Sequence, residues 1–110
     1  GDDSLTLPMM SLGARGVISV ASHIFGKELK SMIRNYKTGN SIAALNMHKR
    51  LYPAFKKLFM APNPTPVKAA LAHNGIIENV VRRPLVELSP ADKKELFAVL
   101  DAVKISQDEL

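Results

Sequence analysis

The sequence predicts a mostly helical α/β fold, with one β-strand and about five helices. Three observations carry that expectation. Residues 16–23, Gly-Val-Ile-Ser-Val-Ala-Ser-His, form a run rich in β-branched residues, and no second convincing strand follows it. Apolar residues elsewhere recur at three- and four-residue spacings, the period of a helix with one buried side. Glycine and proline fall between those stretches and divide the chain into short helices joined by tight connections. A strand must pair its backbone N–H and C=O groups with a neighbour, so a lone strand between helices reads as the closing part of an α/β repeat.

Asp2 and Asp3 stand where carboxylates accept hydrogen bonds from a helix start, with Leu5, Leu7, Met9, Met10 and Leu12 as its apolar side. Pro8 would cost about 3 kcal/mol deep in a helix, so regular helix is expected from near Thr6, with Gly13 as its stop. Residues 13–16 then lead into the strand. Ser22 is the expected N-cap of a second helix carrying Phe25, Leu29, Met32, Ile33 and Tyr36, which Gly39 ends. Asn40 caps a third helix over residues 41–59, with Ile42, Leu45, Leu51, Phe55, Leu58 and Phe59 on its buried side. Pro53 lies inside it, removes the bond to the Lys49 carbonyl, and should bend it.

Prolines at alternate positions make residues 61–66 a rigid connector. Thr65 is the expected cap of a fourth helix, with Pro66 at its first position, Val67, Ala70 and Leu71 inside and Gly75 at its end. Residues 76–88 are ambiguous: Val80 and Val81 suggest extended chain, and Pro84 argues against a central strand. Ser89 followed by Pro90 and Asp92 opens the last helix, whose apolar side is Leu96, Phe97, Val99, Leu100 and Val103. Residues 105–110 are expected to fray.

Composition narrows the function classes. A chain of 110 residues with 46% hydrophobic content is one domain or less and is not a disordered tail. Its 15 basic and 10 acidic residues give a net charge of +5, but the cations are spread along helices and mixed with acids. Solvated helix faces explain that spread, and no nucleic-acid partner is expected. Without cysteine there is no disulfide framework, thiol nucleophile or cysteine zinc site. No apolar run approaches the roughly 20 residues that span a bilayer, and the acidic start is unlike a signal peptide. The chain therefore reads as soluble and cytoplasmic, with no membrane partner. It has no initiator Met, and Gly-Asp-Asp looks like the middle of a gene product.

Four separated motifs resemble the 4-hydroxy-tetrahydrodipicolinate synthases and occur in the order seen there: Gly1-Asp2-Asp3; Gly16-Val17-Ile18-Ser19-Val20-Ala21-Ser22-His23; Pro62-Asn63-Pro64-Thr65-Pro66-Val67-Lys68; and Arg83-Pro84-Leu85. The similarity runs to about Val103. It implies the C-terminal part of a (β/α)8 TIM barrel of the pyruvate-dependent class I aldolases. Residues 1–38 would be helix seven, strand eight and helix eight, and residues 39–110 a C-terminal helical extension. The reaction implied condenses pyruvate with L-aspartate-β-semialdehyde through a lysine Schiff base, in lysine and diaminopimelate synthesis. An imine of that kind is an electron sink that makes the pyruvate methyl group acidic.

The same resemblance places the Schiff-base lysine, the Thr and Tyr proton relay and the substrate-binding Arg outside these residues. The chain is therefore expected to be a fragment with no catalytic residue of its own, inactive without the N-terminal barrel part, and a homotetramer when complete. No cofactor or metal is implied. What carries over to the substrate site is Gly1, Asp2 and Asp3 in the loop after strand seven, and Ile18, whose backbone would approach the lysine and pyruvate. Barrels of this kind build their sites at the C-terminal ends of strands. Gly1 lacks a Cβ and so permits close approach, Asp2 and Asp3 have helix capping as their simpler explanation, and Ile18 has barrel packing. Arg83 and Glu87 depart from the family pattern, in the outer helical region.

Competing readings are weaker. N-acetylneuraminate lyase shares the barrel, but the first two motifs favour the synthase branch. An autonomous basic helical binding module would leave residues 17–20 without sheet partners. His23, His48 and His73 lie 25 residues apart in each case, too far for a local metal-ligand pair. Lys68 has no sequence feature that would lower its pKa as a nucleophile needs. The five methionines fall mostly on apolar helix sides. Lys56-Lys57 with Arg82-Arg83 lacks a stacking platform, and Gly13-Ala14-Arg15-Gly16 is a turn rather than a phosphate loop.

Overall fold

A computed structural model of the protein describes residues 1–103 and 110. A short 3-10 turn, Asp3–Leu5, leads into helix α1 (Thr6–Met10), followed by α2 (Ser22–Lys37), α3 (Ser41–Lys57), α4 (Thr65–His73) and α5 (Pro90–Ala102). The five helices expected are therefore present. The fraying expected of residues 105–110 falls outside the described residues except at Leu110, whose carbonyl oxygen accepts a hydrogen bond from the Arg34 guanidinium at 3.4 Å.

The strand is the main correction. Among the described residues there is no β-strand, and residues 14–19 carry no regular secondary structure. A strand is defined by its ladder, and the N–H groups of residues 15–19 make no backbone–backbone hydrogen bond among the described residues. Sequence preference for extended chain at Val17 and Ile18 cannot by itself supply the missing pairing partner.

Helix α2 packs most extensively on α3, while α5 lies against α3 and α4, and the 3-10 turn abuts α3. The core at these contacts contains Phe25, Leu29 and Met32 from α2, Met47, Leu51 and Phe55 from α3, and Leu96 from α5. On α3 the buried stripe is Ala44, Met47, Leu51, Ala54 and Phe55, continued by Leu58. Ile42, Leu45 and Phe59, expected on that side, are 73%, 42% and 46% exposed. Ala44 and Ala54 take buried positions on this helix beside Leu51 and Phe55, which turns Ile42 and Leu45 toward solvent.

Helix ends follow local chemistry with small shifts. Gly39 and Gly75 adopt φ of 87° and 75°, a region only glycine enters freely. At each, the next residue's N–H reaches back five positions, Asn40 to the Asn35 carbonyl at 2.8 Å and Ile76 to that of Leu71 at 3.0 Å. Pro53 lies inside α3 as expected. Thr65 is the first residue of α4 rather than its cap, which is Pro64, and the buried Thr65 hydroxyl has no partner among the described residues. At the start of α5 the Ser89 hydroxyl accepts from the Asp92 N–H at 3.1 Å.

Candidate functional site

Three of the four residues singled out by sequence meet in one place. Gly1, Asp2 and Ile18 line a single cavity of about 370 Å³, together with Leu5, Thr6 and Met9. Ala14, Gly16 and Val17 of the extended segment complete its lining. Thr6 is buried and its hydroxyl has no partner among the described residues. The Ile18 side chain is 92% exposed, so it packs into no core here.

Asp3 behaves differently from its neighbours. It is only 1% exposed, and its carboxylate turns away from that cavity to grip the start of α2. One oxygen accepts from the Ser19 hydroxyl. The other accepts from the Val20 and Ala21 N–H groups at 3.2 and 2.9 Å. Capping at this end was expected of Asp2 and Asp3 for their own helix, but neither the 3-10 turn nor α1 has a side-chain cap. The capping goes instead to the next long helix, whose N-cap is Ala21 rather than Ser22.

That substitution closes the hydrogen-bond account of the helix start. Ala21 has no side-chain oxygen, so the first N–H groups of α2 need acceptors from elsewhere. Asp3 takes those of Val20 and Ala21, and the Ser19 hydroxyl takes that of Ser22 at 2.9 Å. The carbonyls of Val20 and Ala21 take those of His23, Ile24 and Phe25. Six consecutive N–H groups are thus satisfied before the helix is regular, and the residue that ends this tight start, Phe25, has non-helical φ/ψ of −118° and 38°. A carboxylate at a helix N-terminus also meets the positive end of the helix dipole.

Asp2 and Asp3 border a second cavity of about 370 Å³, lined by Ser4, Phe55, Lys56 and Phe59. Sequence reasoning named neither Ser19 nor Lys56 here. No local pattern links Asp3 to a hydroxyl 16 residues away, and the signal that existed was negative: an alanine where a capping residue was due.

Other sequence candidates lie elsewhere. Lys68, on α4, is not among the residues lining either cavity. Met10, Met32 and Met47 are buried, whereas Met9 is 49% exposed and lines the first cavity. Lys57 pairs with Glu95 across α3 and α5, and Lys56 lies 5.8 Å from the Tyr52 ring centre. Glu87 accepts hydrogen bonds from Lys93 and, at 2.9 Å, from Asn79. The Lys93 hydrogen bond, more than its charge, holds the Glu87 carboxyl below its ordinary range. Glu87 therefore ties the irregular segment 76–89 to α5. His48 sits beside the Tyr52 and Phe55 rings, its Nδ1 has no partner among the described residues, and burial pulls its pKa below the ordinary imidazole value.

No helix is long and apolar enough to cross a membrane among the described residues. The model of the dihydrodipicolinate synthetase family matches residues 1–103. Curated relatives include 4-hydroxy-tetrahydrodipicolinate synthase of Desulforamulus reducens, 54% identical over 90% of this chain and 32% of that protein. The Bacillus subtilis synthase is 48% identical over 91% of this chain and 34% of its own. Among solved structures, the synthase of Methylacidiphilum fumariolicum SolV superposes with a TM-score of 0.90 at 40% identity, covering 100% of this chain and 36% of that one. Dihydrodipicolinate synthase of Aquifex aeolicus gives 0.88 at 48% identity, over 92% and 34%. The chain thus spans about a third of the length of the relatives it matches.

Proposed function

The chain belongs to the dihydrodipicolinate synthetase family, and from that premise we propose that it supplies the C-terminal third of a 4-hydroxy-tetrahydrodipicolinate synthase barrel. In the complete enzyme pyruvate forms a Schiff base with a lysine contributed by the N-terminal barrel part and condenses with L-aspartate-β-semialdehyde, in the lysine and diaminopimelate pathway. Residues 1–38 close the barrel and residues 39–110 form the helical extension. The complete protein acts in the cytoplasm as a homotetramer.

The observation that supports this reading is the convergence of Gly1, Asp2 and Ile18 on one cavity. They come from two separate motifs, 15 or more positions apart in sequence, and barrels of the proposed kind build their sites from βα loops at the C-terminal ends of strands. In the proposed site the Ile18 backbone borders the pyruvate imine and Gly1 leaves room beside it, with Asp2 facing the second substrate. The shared synthase name of the relatives favours this over N-acetylneuraminate lyase and over a free-standing basic module.

The test is to join or co-express the chain with a polypeptide supplying strands one to seven and the lysine. Borohydride treatment in the presence of pyruvate should then leave a covalent pyruvate adduct, and added L-aspartate-β-semialdehyde should be consumed. The chain alone should do neither. An assembled, soluble barrel that traps no pyruvate would sink the proposal.

A further inference from the structure

We propose that Asp3 is a positioning residue and not a substrate ligand: its buried carboxylate sets the point at which the Ile18 segment turns into α2. This rests on the synthase reading above. It separates two adjacent acids that look equivalent in the sequence: Asp2 lines the cavity shared with Gly1 and Ile18, and Asp3 does not.

The geometry points one way. Asp3 is 1% exposed while Ile18 is 92% exposed. Both Asp3 oxygens are engaged, one by the Ser19 hydroxyl and the other by two backbone N–H groups. A substrate group could reach that carboxylate only by breaking bonds that satisfy the start of α2, leaving buried donors without partners. Asp3 is also absent from the residues lining the cavity shared by Gly1, Asp2 and Ile18; it borders the separate cavity lined by Ser4, Phe55, Lys56 and Phe59.

The grip begins at Ser19, immediately after Ile18. Among the described residues the N–H groups of residues 15–19 have no backbone partner, so Asp3 supplies the nearest fixed point to Ile18 on its C-terminal side. Hydrogen bonds to three successive residues fix rotation as well as position. Losing them lets the Ile18 backbone drift relative to the imine it borders, and misplacement by about 1 Å at a reacting centre costs on the order of a hundredfold in rate.

The experiment uses the complete synthase carrying this segment, with Asp3→Ala, Asp3→Asn, Ser19→Ala and the double variant Asp3→Ala/Ser19→Ala. Asp3→Ala should lower kcat/KM for pyruvate, and the rate of borohydride-trapped adduct formation, by roughly ten- to a hundredfold, with KM for L-aspartate-β-semialdehyde unchanged. Ser19→Ala should move the same quantities less, and the double variant should fall clearly short of the product of the two single effects, because both changes break the shared Asp3–Ser19 bond. Asp3→Asn should recover most of the loss, since its oxygen still accepts from Val20 and Ala21 and its amide can donate to the Ser19 oxygen.

A rise confined to the aldehyde KM, multiplicative effects of the two single changes, or an Asp3→Asn as impaired as Asp3→Ala would overturn the proposal. A lowered melting temperature with the pyruvate constants intact would reduce Asp3 to a purely structural role and overturn it as well. If Asp3→Ala does not fold, Asp3→Asn and Ser19→Ala decide the matter by the same readouts. A wild-type enzyme that traps no pyruvate overturns the synthase reading itself, and the proposal falls with it.

Discussion

The His73 imidazole lies flat on the Phe97 ring, centroids 3.9 Å apart and planes 11° from parallel. The pair joins the last residue of α4 to the middle of α5, beside a small cavity that also involves Phe25. Stacked rings contribute about 0.5–1.5 kcal/mol beyond their buried area. A double-mutant cycle of His73→Ala with Phe97→Leu in urea should therefore return a favourable coupling of about that size. A coupling indistinguishable from zero would mean the contact is incidental.

Removing the Ser89 hydroxyl should weaken α5 at its first turn. It accepts from the Asp92 N–H, and loss of an N-cap of this kind typically costs about 1 kcal/mol. Ser89→Ala should lower the urea midpoint accordingly, whereas Ser89→Asp should preserve it. Equal stability of Ser89→Ala and wild type would contradict the capping role.

His48 should make stability depend on pH. Burial disfavours its charged form, so its folded pKa lies below the ordinary imidazole value of 6.5. Between the two values the unfolded chain binds more protons than the folded one, so stability rises with pH there. The contribution is complete above about pH 6.5 and is lost as pH falls through the lowered folded value. Urea midpoints measured from pH 8 down to pH 5 should decline in wild type and decline less in His48→Gln. Parallel profiles for the two proteins would remove His48 as the source.

Where sequence reading succeeded, the cause was local. Ser89, Pro90 and Asp92 specify a helix start among themselves, and Gly39 and Gly75 end helices by their own backbone freedom. The four motifs led to the right family because each is a contiguous string. Where reading failed, the cause was distant. Residues 17–20 have the side chains of a strand, but pairing needs another segment. Ser22 looks like a cap, yet the oxygens that do the capping come from Ser19 and from Asp3 on the far side of α1. Ile42 and Phe59 look buried by period alone, while the alanines at 44 and 54 decide which way α3 turns. At the candidate site, Gly1, Asp2 and Ile18 line one cavity, whereas the separate place of Asp3 required the fold.

The bonds from Asp3 to Ser19 and Ala21 span 16 and 18 residues, and they close the chain into a ring that contains the 3-10 turn, α1 and the whole extended segment. A non-covalent closure of that length restrains the chain as a cross-link does, at the entropic cost of a loop that must be gathered before any reward is collected. Breaking it releases at once the acceptor of the Val20 and Ala21 N–H groups and of the Ser19 hydroxyl. The segment bearing Ile18 is thus anchored on its C-terminal side by a carboxylate near the start of the ring.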